Sequence, residues 1–255
     1  MWRIIDLSVS HENGATEPFP PQITHSGHAE GAARLGKLAG IEASDFPDSL
    51  ALATDYISGS AHSGTHLDAP WHYGPLCEGK PAQTIDQIPL EWCYGPGVIL
   101  DMRHKKPGSE IMVDDMKTAL ARIHYTLKPL DIVMLQTGAD KYWGTSTEKY
   151  LEMQSGLGVK GTVWLLDQGI RCIGIDAWGL DRPAKKMAES YKQTGDKDEL
   201  WPSHMYGRKC EYLQIEKLAN LDAVPKPYGF KVAVFPVKFA SGSAGWTRAV
   251  AIIEE

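Results

Sequence analysis

The amino-acid sequence predicts a mixed α/β protein, and two patterns support that fold class. Seven short segments are rich in Val and Ile and are bounded by Gly, Pro or Asp, as strands usually are. Between residues 98 and 176 such segments alternate with segments of helical periodicity, which is the pattern of βαβ units. The predicted strands are residues 3–9, 97–101, 131–137, 171–176, 212–215, 231–237 and 247–253.

Three helices are predicted from the spacing of apolar residues. The first runs from residue 114 or 115 to 124, because Met116, Leu120 and Ile123 recur at i, i+4 and i+7 behind acidic residues. The others cover residues 160–168 and 201–208. Residues 27–60, rich in Gly, Ala, Asp and Pro, predict only a helical turn and a loop. The charged run 192–199 is expected to be a solvated excursion.

Composition limits the class of protein. The 255 residues contain neither a linker nor an internal repeat, so one domain spanning residues 1–255 is expected. The net charge of −6 argues against nucleic acid or an anionic membrane as a partner. No apolar run approaches the roughly 18 residues that a membrane span needs. An early charged residue disfavours a signal peptide, and four scattered cysteines indicate reduced thiols, so a cytoplasmic location is expected.

The most informative segment places three imidazoles and one carboxylate within eleven residues. It reads His62-Ser-Gly-Thr-His66-Leu-Asp68-Ala-Pro-Trp-His72. Neutral imidazole and carboxylate groups together suit zinc, manganese or ferrous iron. The segment therefore predicts a metal site, with Zn²⁺ or Mn²⁺ as the expected cofactor.

The spacing of these residues predicts how the backbone runs. In an extended chain His66 and Asp68 lie on one face, roughly 6.6 Å apart, and can bind the same ion. His62 would lie roughly 13 Å away along a straight strand, which is too far. The chain must therefore bend between them, and Gly64 is the residue that bends most easily. The predicted ligands of one ion are thus His62, His66 and Asp68.

Two His and one Asp leave coordination positions open, as catalytic metal sites do. Water on such an ion would be a hydroxide nucleophile at neutral pH, and the ion would stabilise the oxyanion formed when a carbonyl is attacked. Hydrolysis of an amide, lactam or lactone is the expected reaction. His72, beyond Pro70, is predicted to act as the general base and acid that carries the proton to the leaving atom.

The segment resembles the HxGTHxDxPxH signature of the metal-dependent cyclase family, which includes bacterial kynurenine formamidases and isatin hydrolases. Further resemblances extend over the chain: residues 6–8, residues 131–138 ("GDxVLLRTG"), residues 173–176 ("IGID"), the His204 and Glu216 pair ("H…ENL"), and residues 242–243 with 248–251 ("GSPxRAVA"). The resemblance implies a swivelling β/β/α fold of mixed sheets with flanking helices. It also implies a homodimer or homotetramer with a small-molecule substrate.

The resemblance further implies roles for residues far from the motif. His204 and Glu216 are expected to approach the cluster, where they either hold the substrate or, with Asp68, bind a second ion. Asp176, at a predicted strand end, is expected either to orient a ligand histidine or to cap the following turn. Three tryptophans are candidates for the walls of a pocket for a flat aromatic substrate, namely Trp71, Trp178 and Trp201.

The substrate hypothesis is a cyclic or aryl amide, opened in the manner of isatin hydrolases. The chain has Asp-Ala-Trp-Gly at residues 176–179, where the formamidase pattern has Asp-x-x-Ser, and it carries extra length before residue 62. A kynurenine formamidase and a lactone hydrolase of the dienelactone type are the enzymatic alternatives. A metal-dependent ligand-binding protein without turnover is the other class, and the presence of His72, His204 and Glu216 favours the enzyme.

Overall fold

The structure is a computed structural model and describes residues 1–254. Its strands are β1 (Trp2–Asp6), β2 (Gln22–Ser26), β3 (Thr54–Ser58), β4 (His66–Asp68), β5 (Leu76–Cys77), β6 (Lys80–Pro81), β7 (Tyr94–Asp101), β8 (Glu110–Ile111), β9 (Ile132–Gln136), β10 (Gly156–Leu157), β11 (Cys172–Ile175), β12 (Leu213–Glu216), β13 (Phe230–Ala233), β14 (Ala244–Trp246) and β15 (Val250–Glu254). Its α-helices are α1 (His28–Ala39), α2 (Pro70–Tyr73), α3 (Val113–Arg122), α4 (Thr147–Glu152), α5 (Val159–Asp167), α6 (Ala184–Thr194) and α7 (Pro202–Tyr206).

The mixed α/β prediction is confirmed by one nine-stranded sheet with helices packed against it. The strand order is β1-β15-β13-β7-β9-β11-β12-β4-β14. The four central strands, β7, β9, β11 and β12, pair in parallel, and the strands on both sides of them pair antiparallel. The βαβ pattern predicted for residues 98–176 corresponds to β7, α3, β9, α5 and β11.

The sheet curls, and Leu7, the residue that follows β1, is bonded to chain segments from both halves of the sheet. Leu7 donates its backbone N–H to the Ala249 carbonyl (2.9 Å) and accepts from the Ala219 N–H (2.8 Å). Leu7 therefore connects the end of β1 to the residue just before β15 and to the segment just after β12. An inner core fills the curl, and it includes Leu7, Leu67 and Ile215.

Alternation along the central strands separates this inner core from an outer one. In β9, Ile132 and Met134 pack into the inner core, whereas Val133 and Leu135 pack into the outer core beneath α3 and α5. Successive strand residues point to opposite faces, which explains why a strand buried on both faces reads as an unbroken apolar run. The strand prediction for residues 131–137 rested on that run.

Two regions differ from the sequence prediction. Only a helical turn and a loop were predicted for residues 27–60. They contain the twelve-residue helix α1 and strand β3, which forms a hairpin with β2. A Cβ on Gly31 would lie 2.1 Å from the Leu52 carbonyl oxygen, so this helix depends on a close tertiary contact that its sequence does not reveal. The run 192–199 is solvated as predicted, since residues 192–198 are exposed, but residues 192–194 belong to the last turn of α6 rather than to an excursion.

Among residues 1–254, no helix combines the length and the apolar character that crossing a membrane requires.

Candidate metal centre

Strand β4 carries the centre of the site, between β12 and β14. His66 and Asp68 point to one face of the strand, and Leu67 between them points into the inner core. Glu216 on β12 is the Cα partner of His66 in the antiparallel register. The pairing of strands therefore brings a carboxylate 150 residues away in sequence beside His66, and all three side chains are buried.

The backbone bends before β4, as the sequence analysis expected. Gly64 has φ of +55°, and a Cβ there would lie 2.7 Å from the His11 ring. Only glycine enters this region at little cost. The bend returns His62 to the cluster, where its Nδ1 lies 2.8 Å from Asp68 Oδ1.

Asp68 lies at the middle of the cluster. Its Oδ1 is 3.2 Å from His66 Nε2, on the same side as His62. Its Oδ2 is 3.9 Å from His204 Nε2, which in turn is 3.4 Å from Glu216 Oε1. One oxygen of Asp68 thus faces the predicted ligands His62 and His66. The other faces His204 and Glu216, which were predicted to hold either the substrate or a second ion.

Hydrogen bonds outside the cluster orient its histidines. His66 Nδ1 lies 2.9 Å from the Gly64 carbonyl oxygen, so it carries the proton and leaves Nε2 as a lone-pair donor toward the cluster. His204 Nδ1 lies 2.5 Å from Asp181 Oδ2, and Asp181 also accepts the Ser203 N–H at the start of α7. Carbonyl and carboxylate partners of this kind fix the ring orientation of metal-binding histidines.

The donor atoms fit a divalent cation. His66 Nε2 and both oxygens of Asp68 are buried, and although His62 Nδ1 lies close to Asp68 Oδ1, none of the three atoms makes a hydrogen bond of normal geometry. Such an arrangement costs free energy unless a cation occupies the space. The donor atoms form two compact groups, and the atoms within each group lie within 4.8 Å of one another. One group is His62, Asp68 and His72, and the other is His66, Asp68 and Glu216. His72 was predicted to be the general base rather than a ligand, and the structure places it beside His62, with ring centroids 4.1 Å apart.

Burial and the neighbouring imidazoles set the pKa values at the centre of the cluster. Burial alone would raise the pKa of Asp68, but the histidines around it, led by His72, outweigh burial and hold that pKa well below its ordinary value. Burial lowers the pKa of His72, and repulsion by His62 and His204 lowers it further. His72 is consequently an uncharged base at neutral pH.

The pKa of His204 moves in the opposite direction. Burial would lower it, but the contacts with Asp181 and Glu216 raise it well above its ordinary value. Burial and the neighbouring Asp68 both act to raise the pKa of Glu216. The contact with His204 outweighs them, and the pKa of Glu216 is lowered. These two side chains therefore form a charge-assisted pair on the far side of Asp68.

A cavity of about 270 Å³ opens directly onto the cluster. Trp178 and Trp201 line it, as the sequence analysis expected, and Phe19 adds a third aromatic wall. Trp71 does not line this cavity and is 43% exposed. Adjacent residues of a helix point about 100° apart, so in the single turn of α2 His72 faces the cavity and Trp71 faces away. A larger cleft, of about 870 Å³, lies elsewhere and contains no residue of the cluster.

Asp176 takes neither of its two expected roles, because it bonds neither to a histidine nor to the turn that follows it. Its Oδ1 accepts bonds from the Thr137 N–H (2.8 Å) and hydroxyl (2.6 Å), and its Oδ2 accepts from the Gly138 N–H (2.7 Å). The carboxylate thus caps the end of β9, and its bonds are to that turn rather than to a histidine.

Several residues that shape the site were not identified from the sequence. Asp181 orients His204, and the Ser243 hydroxyl lies 2.9 Å from His62 Nε2. Glu17 and Lys217 line the cavity and form a buried ion pair. Ser243 and Lys217 stood in recognised motifs without being assigned a role, while Asp181 and Glu17 reach the site through long-range contacts that leave no local pattern. His11 is half-buried with Nε2 3.0 Å from the Ser63 carbonyl oxygen.

Comparisons with known proteins agree with this arrangement. Residues 5–182 match the family model "Cyclase". The kynurenine formamidase of Geobacillus thermodenitrificans is 26% identical over 187 residues, which cover 73% of this chain and 75% of that protein. The isatin hydrolase of Roseibium aggregatum is 24% identical over 206 residues, covering 75% and 72%.

The fold comparison extends over the full chain. Isatin hydrolase A from Ralstonia solanacearum superposes with a TM-score of 0.78 at 21% identity, covering 99% of this chain and 92% of that one. The predicted fold class is therefore confirmed. Because the family model covers well over half of its residues, this chain belongs to the cyclase family.

Proposed function

We propose that this protein is a metal-dependent hydrolase that cleaves the C–N bond of an amide, with cyclic or aryl amides as its substrates. The observation that carries the proposal is the Asp68-centred cluster, which holds unpartnered buried donor atoms and borders an aromatic-walled cavity through His62, His72, His204 and Glu216. Both named relatives, a kynurenine formamidase and an isatin hydrolase, are hydrolases of such bonds by their names.

His62, His66 and Asp68 would hold the cation, which is Zn²⁺ or Mn²⁺. When bound, such a cation supplies Lewis-acid polarisation of the carbonyl and activation of water at neutral pH. His66 presents Nε2 to the site because its Nδ1 is bound to the Gly64 carbonyl. Asp68 offers its second oxygen to the side of the cluster that contains His204 and Glu216. The charge-assisted pairing of these two side chains favours a role in holding the substrate over the alternative, in which they bind a second ion with Asp68.

His72 moves the proton in this mechanism. Its imidazole lines the cavity beside His62, and its lowered pKa keeps it uncharged and able to accept a proton from the attacking water. It then returns the proton to the leaving nitrogen. His204 and Glu216, on the opposite wall, position the substrate relative to this base.

The cavity favours a small, flat and uncharged substrate. Trp178, Trp201 and Phe19 provide aromatic surfaces. The cationic side chains on the cavity wall are paired with carboxylates, Lys217 with Glu17 and His204 with Glu216. An aromatic lactam of the isatin type satisfies these features. N-formylkynurenine hydrolysis is the second candidate, favoured by the similarity to the formamidase.

The experiment that tests the function is a substrate panel with Mn²⁺- and Zn²⁺-loaded protein. We expect isatin to be opened faster than N-formylkynurenine or an aryl lactone. Preferential turnover of N-formylkynurenine would reject the proposal that the substrate is cyclic, but it would agree with hydrolysis of a C–N bond. Loaded protein that turns over none of the three would contradict the hydrolase and favour a ligand-binding protein.

We also propose that the protein acts in the cytoplasm as a homodimer or homotetramer, with its small-molecule substrate as its other partner. The cysteines support a reducing compartment, because all four are free thiols and Cys77, Cys93 and Cys172 are buried.

A further inference from the structure

A buried ion pair between Glu17 and Lys217 lies beside the proposed metal centre, on the wall of its cavity. Lys217 directly follows Glu216 and is 2% exposed, and its Nζ lies 3.1 Å from Glu17 Oε2. Lys and Glu are almost never fully buried unless they are paired. Removing such a pair from water is costly, so its presence beside a catalytic cavity calls for a role beyond stability.

The pair holds the loop that carries His62 at two points. Lys217 Nζ donates to the His62 carbonyl oxygen at 2.5 Å. The Gly64 N–H donates to Glu17 Oε1 at 3.0 Å. The two charged groups thus bind the backbone on either side of Ser63, at the bend that brings His62 to Asp68.

Other hydrogen bonds also hold this loop, chiefly those of His62 and Ser63 with Ser60, but among the side chains bonded to its backbone only those of the ion pair are charged. Residues 62–64 lie outside every helix and strand of the structure, in a turn that ends where β4 begins. Lys217 is also fixed at its own backbone, because its carbonyl accepts the Thr65 hydroxyl (2.6 Å) and its N–H donates to the Ala177 carbonyl (2.9 Å). The ion pair therefore connects the residue that follows β12 to the loop that carries His62.

We infer that the Glu17–Lys217 ion pair positions His62 in the metal centre and so sets the affinity of the centre for its divalent cation. Both residues act through the backbone of the His62 loop and are positioning residues. Second partners of metal ligands typically contribute 10- to 100-fold to metal affinity, which sets the size of the expected effect. The inference rests on the proposed function only in requiring that the cluster binds a cation.

The test is a chelator competition with Mn²⁺-loaded protein. The principal variant is Glu17→Gln with Lys217→Met, which removes both charges together and leaves neither one buried without a partner. A glutamine at residue 17 keeps an acceptor for the Gly64 N–H. We expect this double variant to release Mn²⁺ at a chelator concentration about 10- to 100-fold lower than the wild type.

Two further variants make the result decisive. Lys105→Met breaks the partly buried pair of Lys105 with Asp115 (2.6 Å), far from the cluster, and is expected to lower the unfolding temperature without changing Mn²⁺ release. Glu17→Asp, which keeps both charges but shortens the carboxylate side chain by one methylene group, is the milder change if the double variant does not fold, and we expect earlier Mn²⁺ release from it as well. Unchanged Mn²⁺ affinity in a folded Glu17 or Lys217 variant would overturn the inference. Because the assay needs no substrate, normal Mn²⁺ binding without turnover would instead reject the proposed function.

Discussion

At the scale of single residues, the site converges on one carboxylate. Asp68 contacts His62 and His66 through one oxygen and faces His204 through the other. His66 and Asp68 were predictable from their even spacing in one strand. Asp181 was not, because its contact with His204 spans 23 residues and depends on how α7 begins.

His72 gives the first prediction. Replacing it with Ala should lower kcat by about 10²- to 10⁴-fold, because the uncharged imidazole on the cavity wall carries the proton. Metal content should remain at the wild-type level, since the other donors stay in place. Steady-state kinetics and elemental analysis of the same preparation check both statements. Loss of the metal from the variant would instead make His72 a ligand, as its position beside His62 permits.

Asp176 gives a prediction about pH. Burial raises the pKa of Asp176 from its ordinary value of 3.8 to about 7, despite the bonds from Thr137 and Gly138. The folded protein therefore binds this proton more tightly than the unfolded chain. The stability contributed by the protonated group is present below about pH 4 and is lost as the pH rises to about 7, by about 4 kcal/mol in all.

Asp176→Asn isolates this contribution, because the amide does not titrate. Urea unfolding at several pH values should show the wild type losing stability relative to the variant between pH 4 and pH 7. Parallel curves for the two proteins would show that Asp176 ionises normally in the folded state.

At the scale of elements, the loop before β4 and the strands around it define the site. The central strands were predictable because β9 and β11 are unbroken apolar runs bounded by turn residues. Strand β14, which pairs with β4, was missed because Ala-Gly-Trp lacks any strand pattern of its own. Helix α6 was also missed, although its least exposed apolar residues recur at i, i+3, i+4 and i+7, namely Ala184, Met187, Ala188 and Tyr191.

Gly64 tests the importance of the loop. Ala at this position must adopt a left-handed φ, which costs about 1–2 kcal/mol, and its Cβ must also displace the His11 ring. Gly40→Ala is the matched control, because Gly40 has φ of +72° and no atom within 4 Å of a Cβ. Urea unfolding should show a greater loss for Gly64→Ala than for the control, together with reduced metal content. Equal losses and normal metal content would contradict a special role for this bend.

At the scale of the whole molecule, the curled sheet assembles the site from residues 17 to 243. The motif at residues 62–72 predicted the centre of the site because its ligands are close in sequence. The cavity walls were less predictable. Phe19, Glu17 and Lys217 come from segments that meet only after the sheet has closed, and nothing in their local sequence marks them.

The assembly state is the prediction at this scale. The hairpin of β2 and β3 leaves Tyr56 and Ile57 at least half exposed, and isolated two-stranded hairpins are marginally stable. We expect light scattering after size exclusion to give a mass two or four times the 28.1 kDa of one chain. A mass equal to that of one chain would reject the homo-oligomer.

The most direct test of the central claim is the metal content of the purified protein beside that of Asp68→Asn. If Asp68 holds a divalent cation together with the surrounding histidines, the wild type should retain Zn²⁺ or Mn²⁺ after dialysis, at one or two ions per chain. Asp68→Asn should retain almost none. Equal metal content in the two proteins, or no metal in wild type dialysed from either cation, would contradict the account.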